Sequence, residues 1–398
     1  MTESKKPKSE LTKPKPKAKP KPKQKAKPKP KPKTSGHSQT TPDKRPIILE
    51  SWLSPGDIVV MTAAVRDLHL NYPNRYITEV RTSAGQIWEN NKYITEINRD
   101  ADEVEVVSEY KVIEDGEEKI KLTDVKKVRR DLNKVWKQGK VPRVKIHYPL
   151  IHRSGTGPSH FTEGYTDYLE QIFDVRLRDR LMQGHVEVSD DEKSWVSQIH
   201  EATGVDDYFW IVVNGGKTDF TAKWWDPVRM QRVVSSLPNM LFVQVGQKEH
   251  YHVELQGNNV VNLIGKTDMR QLIRLVYNSS GVICPVTLMM HLAAAVPVRS
   301  DKCYGRASRP CVVIAGGREP AAWEAYTHHS YLHTCGMLPC CDVGGCWKAR
   351  AEPIGDGDEK DESLCLHPEA TENGVIIPKC LKMIGVDDVI RAVKNYLP

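Results

Sequence analysis

Ile47-Ile48-Leu49-Glu50-Ser51-Trp52-Leu53-Ser54-Pro55-Gly56-Asp57-Ile58-Val59-Val60-Met61-Thr62-Ala63-Ala64-Val65 is an apolar run, a break and a second apolar run. Ile47-Ile48-Leu49 reads as a short strand. Ser54-Pro55-Gly56-Asp57 interrupts it with turn-forming residues. Ile58, Met61, Thr62 and Val65 then recur at i, i+3, i+4 and i+7, one face of a helix. Tyr76 to Arg81 reads as the next strand. Strand, loop, helix, strand is how a doubly wound α/β unit with a parallel sheet begins. Asp57 stands at the helix entry. An Asp there either caps the helix or points a carboxylate into the cleft at the carboxyl edge of the sheet.

The same alternation returns after residue 205. Phe209 to Val213 reads as a buried parallel strand and ends in Asn214-Gly215-Gly216-Lys217-Thr218. A helix follows Lys223-Trp224-Trp225, over Val228 to Leu237. Leu241 to Val245 is a strand closed by Gly246. Thr267 is placed to cap a helix whose face is Met269, Leu272, Ile273 and Val276. Gly281 to Cys284 is a strand, and Pro285-Val286-Thr287 opens a helix through His291. Cys311 to Ile314 is another strand, ending in Ala315-Gly316-Gly317-Arg318. Two turns on the carboxyl edge suit a diphosphate. Gly215 and Gly216 admit close backbone approach, or simply make the turn. The turn at Thr287 exposes the N–H groups and dipole of a helix. Lys223 adds a point charge. No GxGxxG or Walker pattern occurs, so a dinucleotide or P-loop nucleotide is unsupported.

Between the two halves, Lys111 to Lys140 is charged and weakly periodic and reads as a surface excursion. His147-Tyr148-Pro149-Leu150-Ile151-His152 and His160-Phe161 read either as the lining of an acceptor groove or as partly buried, satisfied histidines.

The 398-residue chain carries a formal charge of +7, and that charge is uneven. Residues 1–45 hold 15 Lys and one Arg against Glu3, Glu10 and Asp43, a net of 16 − 3 = +13, so the remainder is 7 − 13 = −6. A mildly acidic body argues against nucleic acid as partner. The Lys-Pro alternation from Lys13 to Lys33 cannot build a core and reads as a disordered, extended arm. That arm is a spacer or an electrostatic tether to anionic surfaces. No apolar window spans a membrane and the N-terminus lacks the apolar core of a signal peptide, so the expected setting is cytoplasmic and reducing. In that setting the thiols Cys335, Cys340, Cys341, Cys346, Cys365 and Cys380 point to a metal site rather than disulfides. Unligated buried thiols and redox-active thiols are the competing readings. Cys284, Cys303 and Cys311 read as residues without a role.

The motifs together resemble glycosyltransferase family 9, the heptosyltransferases. Ser54-Pro55-Gly56-Asp57 with its helix resembles that family's opening. Lys223-Trp224-Trp225 matches its Lys-x-Trp. Asn262-Leu263-Ile264-Gly265-Lys266-Thr267, His291-Leu292-Ala293-Ala294-Ala295 and Gly316-Gly317-Arg318-Glu319-Pro320 resemble its nucleotide-sugar half. The resemblance implies a GT-B architecture, two Rossmann-like domains facing a cleft: 46–204 on the acceptor side and 205–330 on the nucleotide-sugar side. It implies an ADP-activated heptose-like donor, an inverting transfer to a hydroxyl of a glycan, a lipid-linked sugar or a protein, and no catalytic metal. Asp57 would be the general base, Lys223 would offset charge on the departing diphosphate, and Gly215, Gly216, Thr287 and His291 would bound the donor pocket. One departure stands out: Val286-Thr287-Leu288 lacks the acid and the glycine of the family pattern, which leaves a non-catalytic sugar-nucleotide or glycan binding protein as the alternative. The thiol segment, 331–382, is similar to that of the iron-containing heptosyltransferases that modify autotransporters. That likeness implies a structural Fe or Zn ion on Cys341, Cys346, Cys365 and Cys380, and a homo-oligomer. A C-terminal helix over 383–398 closes the chain.

Overall fold

The computed structural model describes residues 44–114, 117–122, 124–146, 159–357 and 361–398. The expected disordered arm therefore lies outside the described residues, apart from Lys44 and Arg45, as does the stretch His147 to His152.

The first lobe is built from β1 (Arg45–Ser51), α1 (Pro55–Asn71), β2 (Tyr76–Thr82), β3 (Val104–Val106), a hairpin of β4 (Glu109–Glu114) and β5 (Glu117–Leu122), α2 (Val125–Lys137), β6 (Val141–Lys145) and α3 (Phe161–Phe173). Its sheet runs β2-β1-β6-β3, with every pairing parallel. Ile47, Ile48 and Leu49 are wholly buried at its centre. Asp57 does not cap α1. Ser54 holds the cap position and Pro55 opens the helix, which suits proline because its missing N–H would be unpaired there anyway. Asp57 falls in the first turn, where the positive end of the helix dipole favours its charged form.

The expected surface excursion at Lys111 to Lys140 is corrected in part. Asp124 caps α2, accepting from the backbone N–H groups of Lys126 and Lys127. Val128, Leu132 and Val135 turn one helical face into the core.

Two short helices, α4 (Asp190–Ser194) and α5 (Gln198–Thr203), lead to the second lobe. It comprises β7 (Phe209–Val212), β8 (Gly215–Gly216), α6 (Pro227–Ser235), β9 (Leu241–Gln244), β10 (Tyr251–His252), β11 (Val260–Asn262), α7 (Met269–Asn278), β12 (Gly281–Pro285), α8 (Leu288–Ala295), β13 (Cys311–Gly316), α9 (Ala321–Glu324) and β14 (Ser330–His333). Its six-stranded sheet is ordered β11-β9-β7-β12-β13-β14 and parallel throughout. Chain order reverses between β7 and β12. That reversal opens a crevice beyond the carboxyl ends of those two strands, the usual seat of ligands in open α/β sheets. The sheet runs on through His333, past the boundary expected at 330. Asp268, not Thr267, caps α7, in a reciprocal capping box with Gln271.

The chain ends with a hairpin of β15 (Pro368–Ala370) and β16 (Ile376–Pro378), then α10 (Lys379–Lys382) and α11 (Val386–Lys394). Val389, Ala392 and Val393 of α11 pack with Ile283, Val312 and Ile314 of the sheet. Both lobes belong to one unit, Pro42–Pro398, and a single apolar cluster runs from Ile47 and Ile58 in the first lobe to Ile211, Val282 and Ala294 in the second.

Candidate active site

The two lobes meet where the N-terminal ends of α1 and α8 face each other. Gly56 shows how close they come: a Cβ there would lie 3.1 Å from Cδ2 of His291. Around this meeting point opens a cleft of about 710 Å³, a volume suited to a ligand of nucleotide-sugar size. Asp57, Gly215, Gly216, Lys223, Thr287 and His291, six residues expected from sequence, all line it.

Each wall has a local cause. Asp57 is half-buried in the first turn of α1. Thr287 occupies the cap position of α8 without capping it; its hydroxyl donates to the Pro285 carbonyl instead, at 3.3 Å. The first N–H groups of α8 are thus left to the cleft. Gly215 has φ +123, and a Cβ there would stand 2.1 Å from the Tyr251 carbonyl oxygen. Its freedom serves the β8–β10 pairing, so the glycine is demanded by the chain's own backbone before any ligand. Gly216 packs under the indole of Trp224, which stacks on Tyr251 at 4.7 Å between centroids.

Sequence reasoning missed three charged residues on the far wall. The turn after β13 brings Arg318 and Glu319 into the cleft, and α9 adds Glu324; all three are buried. The Lys223 ammonium pairs with Glu319 at 2.9 Å, and Arg318 pairs with the same carboxylate. Burial works against charge on Glu319, but Arg318 and Lys223 outweigh it and hold the carboxyl below its usual range. Two cations therefore share one anion, and the group is left with one net positive charge facing the crevice. Such a group attracts a diphosphate. The sequence did carry a signal: charges embedded in an otherwise apolar stretch right after a buried strand.

His291 is buried and neutral. Burial first, then the charges of Lys223 and His160, pushes its imidazole down to about 3. Its Nδ1 shares a hydrogen bond of 2.9 Å with the Tyr326 hydroxyl, and Nε2 lies 3.8 Å from a Glu324 carboxylate oxygen. His160 resolves toward the structural reading: its Nδ1 accepts from the Thr162 N–H at 3.2 Å and caps α3. Phe161 stacks on Trp323 with centroids 5.3 Å apart and lines the cleft.

The thiols gather in a second place. Cys340, Cys341, Cys346, Cys365 and Cys380 line one small cavity beside Gly317. Cys335 is not among its lining; its thiol donates to the Glu319 carbonyl, 3.4 Å away. Burial, and then the thiols' effect on one another, raises Cys340 to about 11 and Cys380 to about 12. All nine cysteines are unbridged. Soft thiolate donors suit iron or zinc, but among the described residues no three His, Cys, Asp or Glu side chains converge to hold a metal ion. All four of the expected set, Cys341, Cys346, Cys365 and Cys380, line this one cavity, and Cys340 joins them. Cys284, Cys303 and Cys311 are wholly buried.

No helix among the described residues is long and apolar enough to cross a membrane.

Residues 218–311 match the model of Glycosyltransferase family 9 (heptosyltransferase). None of the curated proteins matches the chain. Among solved structures the chain is similar to a family 9 glycosyltransferase from Veillonella parvula, with TM-score 0.54 and 15% identity over 88% of this chain and 97% of that one. It is similar to the E. coli ADP-heptose lps heptosyltransferase II, with TM-score 0.53 and 14% identity over 88% and 98%. It is also similar to TibC, an iron-containing dodecameric glycosyltransferase of enterotoxigenic E. coli, with TM-score 0.50 and 11% identity over 89% and 76%. At these identities the structures speak for the fold alone. The segment that carries Lys223, Thr287 and His291 matches the family 9 model, and the whole chain is similar in fold to solved heptosyltransferases.

Proposed function

We propose that the protein transfers a heptose-like sugar from a nucleoside diphosphate donor, ADP-heptose in the first instance, to a hydroxyl acceptor with inversion. The observation that carries this reading is that one cleft holds both a half-buried carboxylate from the first lobe and an anion-attracting wall from the second.

The diphosphate would lie against the open N-terminus of α8 and the cations Lys223 and Arg318. As the sugar–phosphate bond breaks, negative charge grows on the leaving diphosphate. Lys223 and Arg318 then stabilise the transition state more than the ground state, which is what accelerates a reaction. Glu319 fixes both cations in advance, so little reorganisation is needed during the step. Asp57 would take the acceptor hydroxyl's proton as that oxygen attacks the anomeric carbon from the face opposite the diphosphate. Its place in the first turn of α1 favours the anion, the form a base needs. The acceptor would approach along the first lobe, past Phe161.

The thiol cavity belongs to this proposal as the place of a structural iron or zinc ion. Cys341, Cys346, Cys365 and Cys380 would hold it, Cys340 stands beside them, and the ion would tie the loop before β15 to Gly317.

The reading is tested with ADP-heptose and purified protein. Slow release of ADP without acceptor, and thermal stabilisation by ADP above that by other nucleoside diphosphates, are the expected results. Stabilisation by ADP-heptose without any ADP release favours the binding-protein alternative, which the apolar Val286 keeps open.

A further inference from the structure

Among the described residues that line the cleft, five buried polar atoms have no hydrogen-bond partner: Glu324 Oε2, Glu319 Oε2, Trp224 Nε1 and both ring nitrogens of His252. Glu324 ends α9, is 4% exposed and lines the cleft, and its Oε2 has no hydrogen-bond partner. His291 Nε2, at 3.8 Å, is too far to satisfy it. A buried, unsatisfied oxygen is costly to the fold and calls for an explanation beyond packing.

We propose that Glu324 is a substrate-binding residue of this cleft, whose free Oε2 completes a hydrogen bond with a hydroxyl of the transferred sugar. This rests on the transferase reading above and names the group on the protein that recognises the sugar rather than the nucleotide.

The surroundings define what kind of partner Glu324 can be. Asp57 faces it from α1, His291 from α8, Lys223 from the turn after β8, and Arg318 and Glu319 from the turn before α9. Its backbone carbonyl faces the His160 ring, and Tyr326 follows it in the chain. Burial first, then Glu319 and Asp57, raises the Glu324 carboxyl well above the ordinary range; Lys223 and Arg318 oppose this and lose. These surroundings favour the neutral, protonated form of Glu324 over the anion. A neutral acid both donates and accepts, which matches a sugar hydroxyl. It also adds no second negative charge beside Asp57 or the diphosphate. The facing turn before α8 offers no such group, because Val286 there is apolar and buried.

The test uses the full chain with Glu324→Ala and Glu324→Gln. Both variants should bind ADP within about twofold of wild type, since the nucleotide lies elsewhere. Glu324→Ala should lose about tenfold in its preference for ADP-heptose over ADP, the worth of one hydrogen bond in a dry site, and Glu324→Gln should lose less. A second readout needs no substrate. The unfolded carboxyl ionises above its ordinary value of 4.5 while the folded one holds its proton to higher pH, so wild-type stability should fall as pH rises. The folding constant of Glu324→Gln should then gain on wild type by up to about tenfold per pH unit above that value. If Glu324→Ala does not fold, Glu324→Met, which fills the space, carries the binding test. An unchanged preference for ADP-heptose in the truncated variant overturns the proposal, as does loss of ADP binding, which would mark a residue of the fold. If wild type binds neither ADP nor ADP-heptose, the transferase reading itself fails and takes this inference with it; if wild type binds both and only the variant result is negative, the inference alone falls.

Discussion

His160 shows how a single side chain couples the cleft to the stability of the fold. It caps α3 through Nδ1, its ring is 7% exposed, and burial, only partly offset by the Glu324 carbonyl, pushes its imidazole down to about 4. Below the ordinary histidine value of 6.5 the unfolded chain takes up a proton that the folded ring refuses, so stability is whole above that pH and drains away as pH falls toward 4. Asn can keep the cap and does not titrate. Relative to His160→Asn, the wild-type protein should lose about 2 kcal/mol of unfolding free energy between pH 7 and pH 5, read by urea titration; parallel losses in the two proteins would contradict the assignment. Residues of this kind were only half legible in the sequence. Asp57, Lys223 and Thr287 stand out because each sits at a turn that ends or starts a periodic run. Arg318, Glu319 and Glu324 did not, because Gly316-Gly317-Arg318-Glu319-Pro320 reads locally as a turn. Which way its charges point is decided by the sheet edge it leaves.

At the scale of elements, the apolar pattern found the strands well and the environments of the helices less well. The face Ile58, Met61, Thr62, Val65 places α1 correctly, yet every residue from Ile58 to Leu68 is buried. α1 packs against α3 on one side and α8 of the other lobe on another, and no pattern within a single helix announces a second partner. The helix even buries an ion pair, Arg66 with Asp67, whose guanidinium also donates to the carbonyls of Leu181 and Gln183. The opposite failure occurs at α2. Lysines and arginines crowd its exposed face and mask the narrow stripe Val128, Leu132, Val135. Thr267 and Asp268 are both good caps standing side by side, and only the reciprocal bond with Gln271 selects the second. Gly215 and Gly216 mark the right turn, although strand pairing with Tyr251 and His252, rather than any ligand, is what requires the first of them.

The whole molecule makes the chemistry possible by fusing two parallel-sheet lobes through one apolar cluster and leaving the crevice at the ends of α1 and α8 open. The reversal of strand order between β7 and β12 follows from topology, and it places Gly215 and Thr287 on one rim before any side chain is considered. The thiol segment is a separate question at this scale. If it holds a structural ion, purified protein should contain about one iron or zinc per chain, and Cys346→Ser should lower both metal content and thermal stability, because metal binding free energy is folding free energy in such segments; unchanged metal and melting temperature would mark the thiols as unligated. The central claim, that a carboxylate from one lobe attacks a problem posed by the other, is tested most directly by Asp57→Asn. The account predicts that this variant binds ADP as tightly as wild type while glycosyl transfer from ADP-heptose, or ADP release when water is the acceptor, falls by about a hundredfold or more; ADP release at the wild-type rate from Asp57→Asn would contradict it.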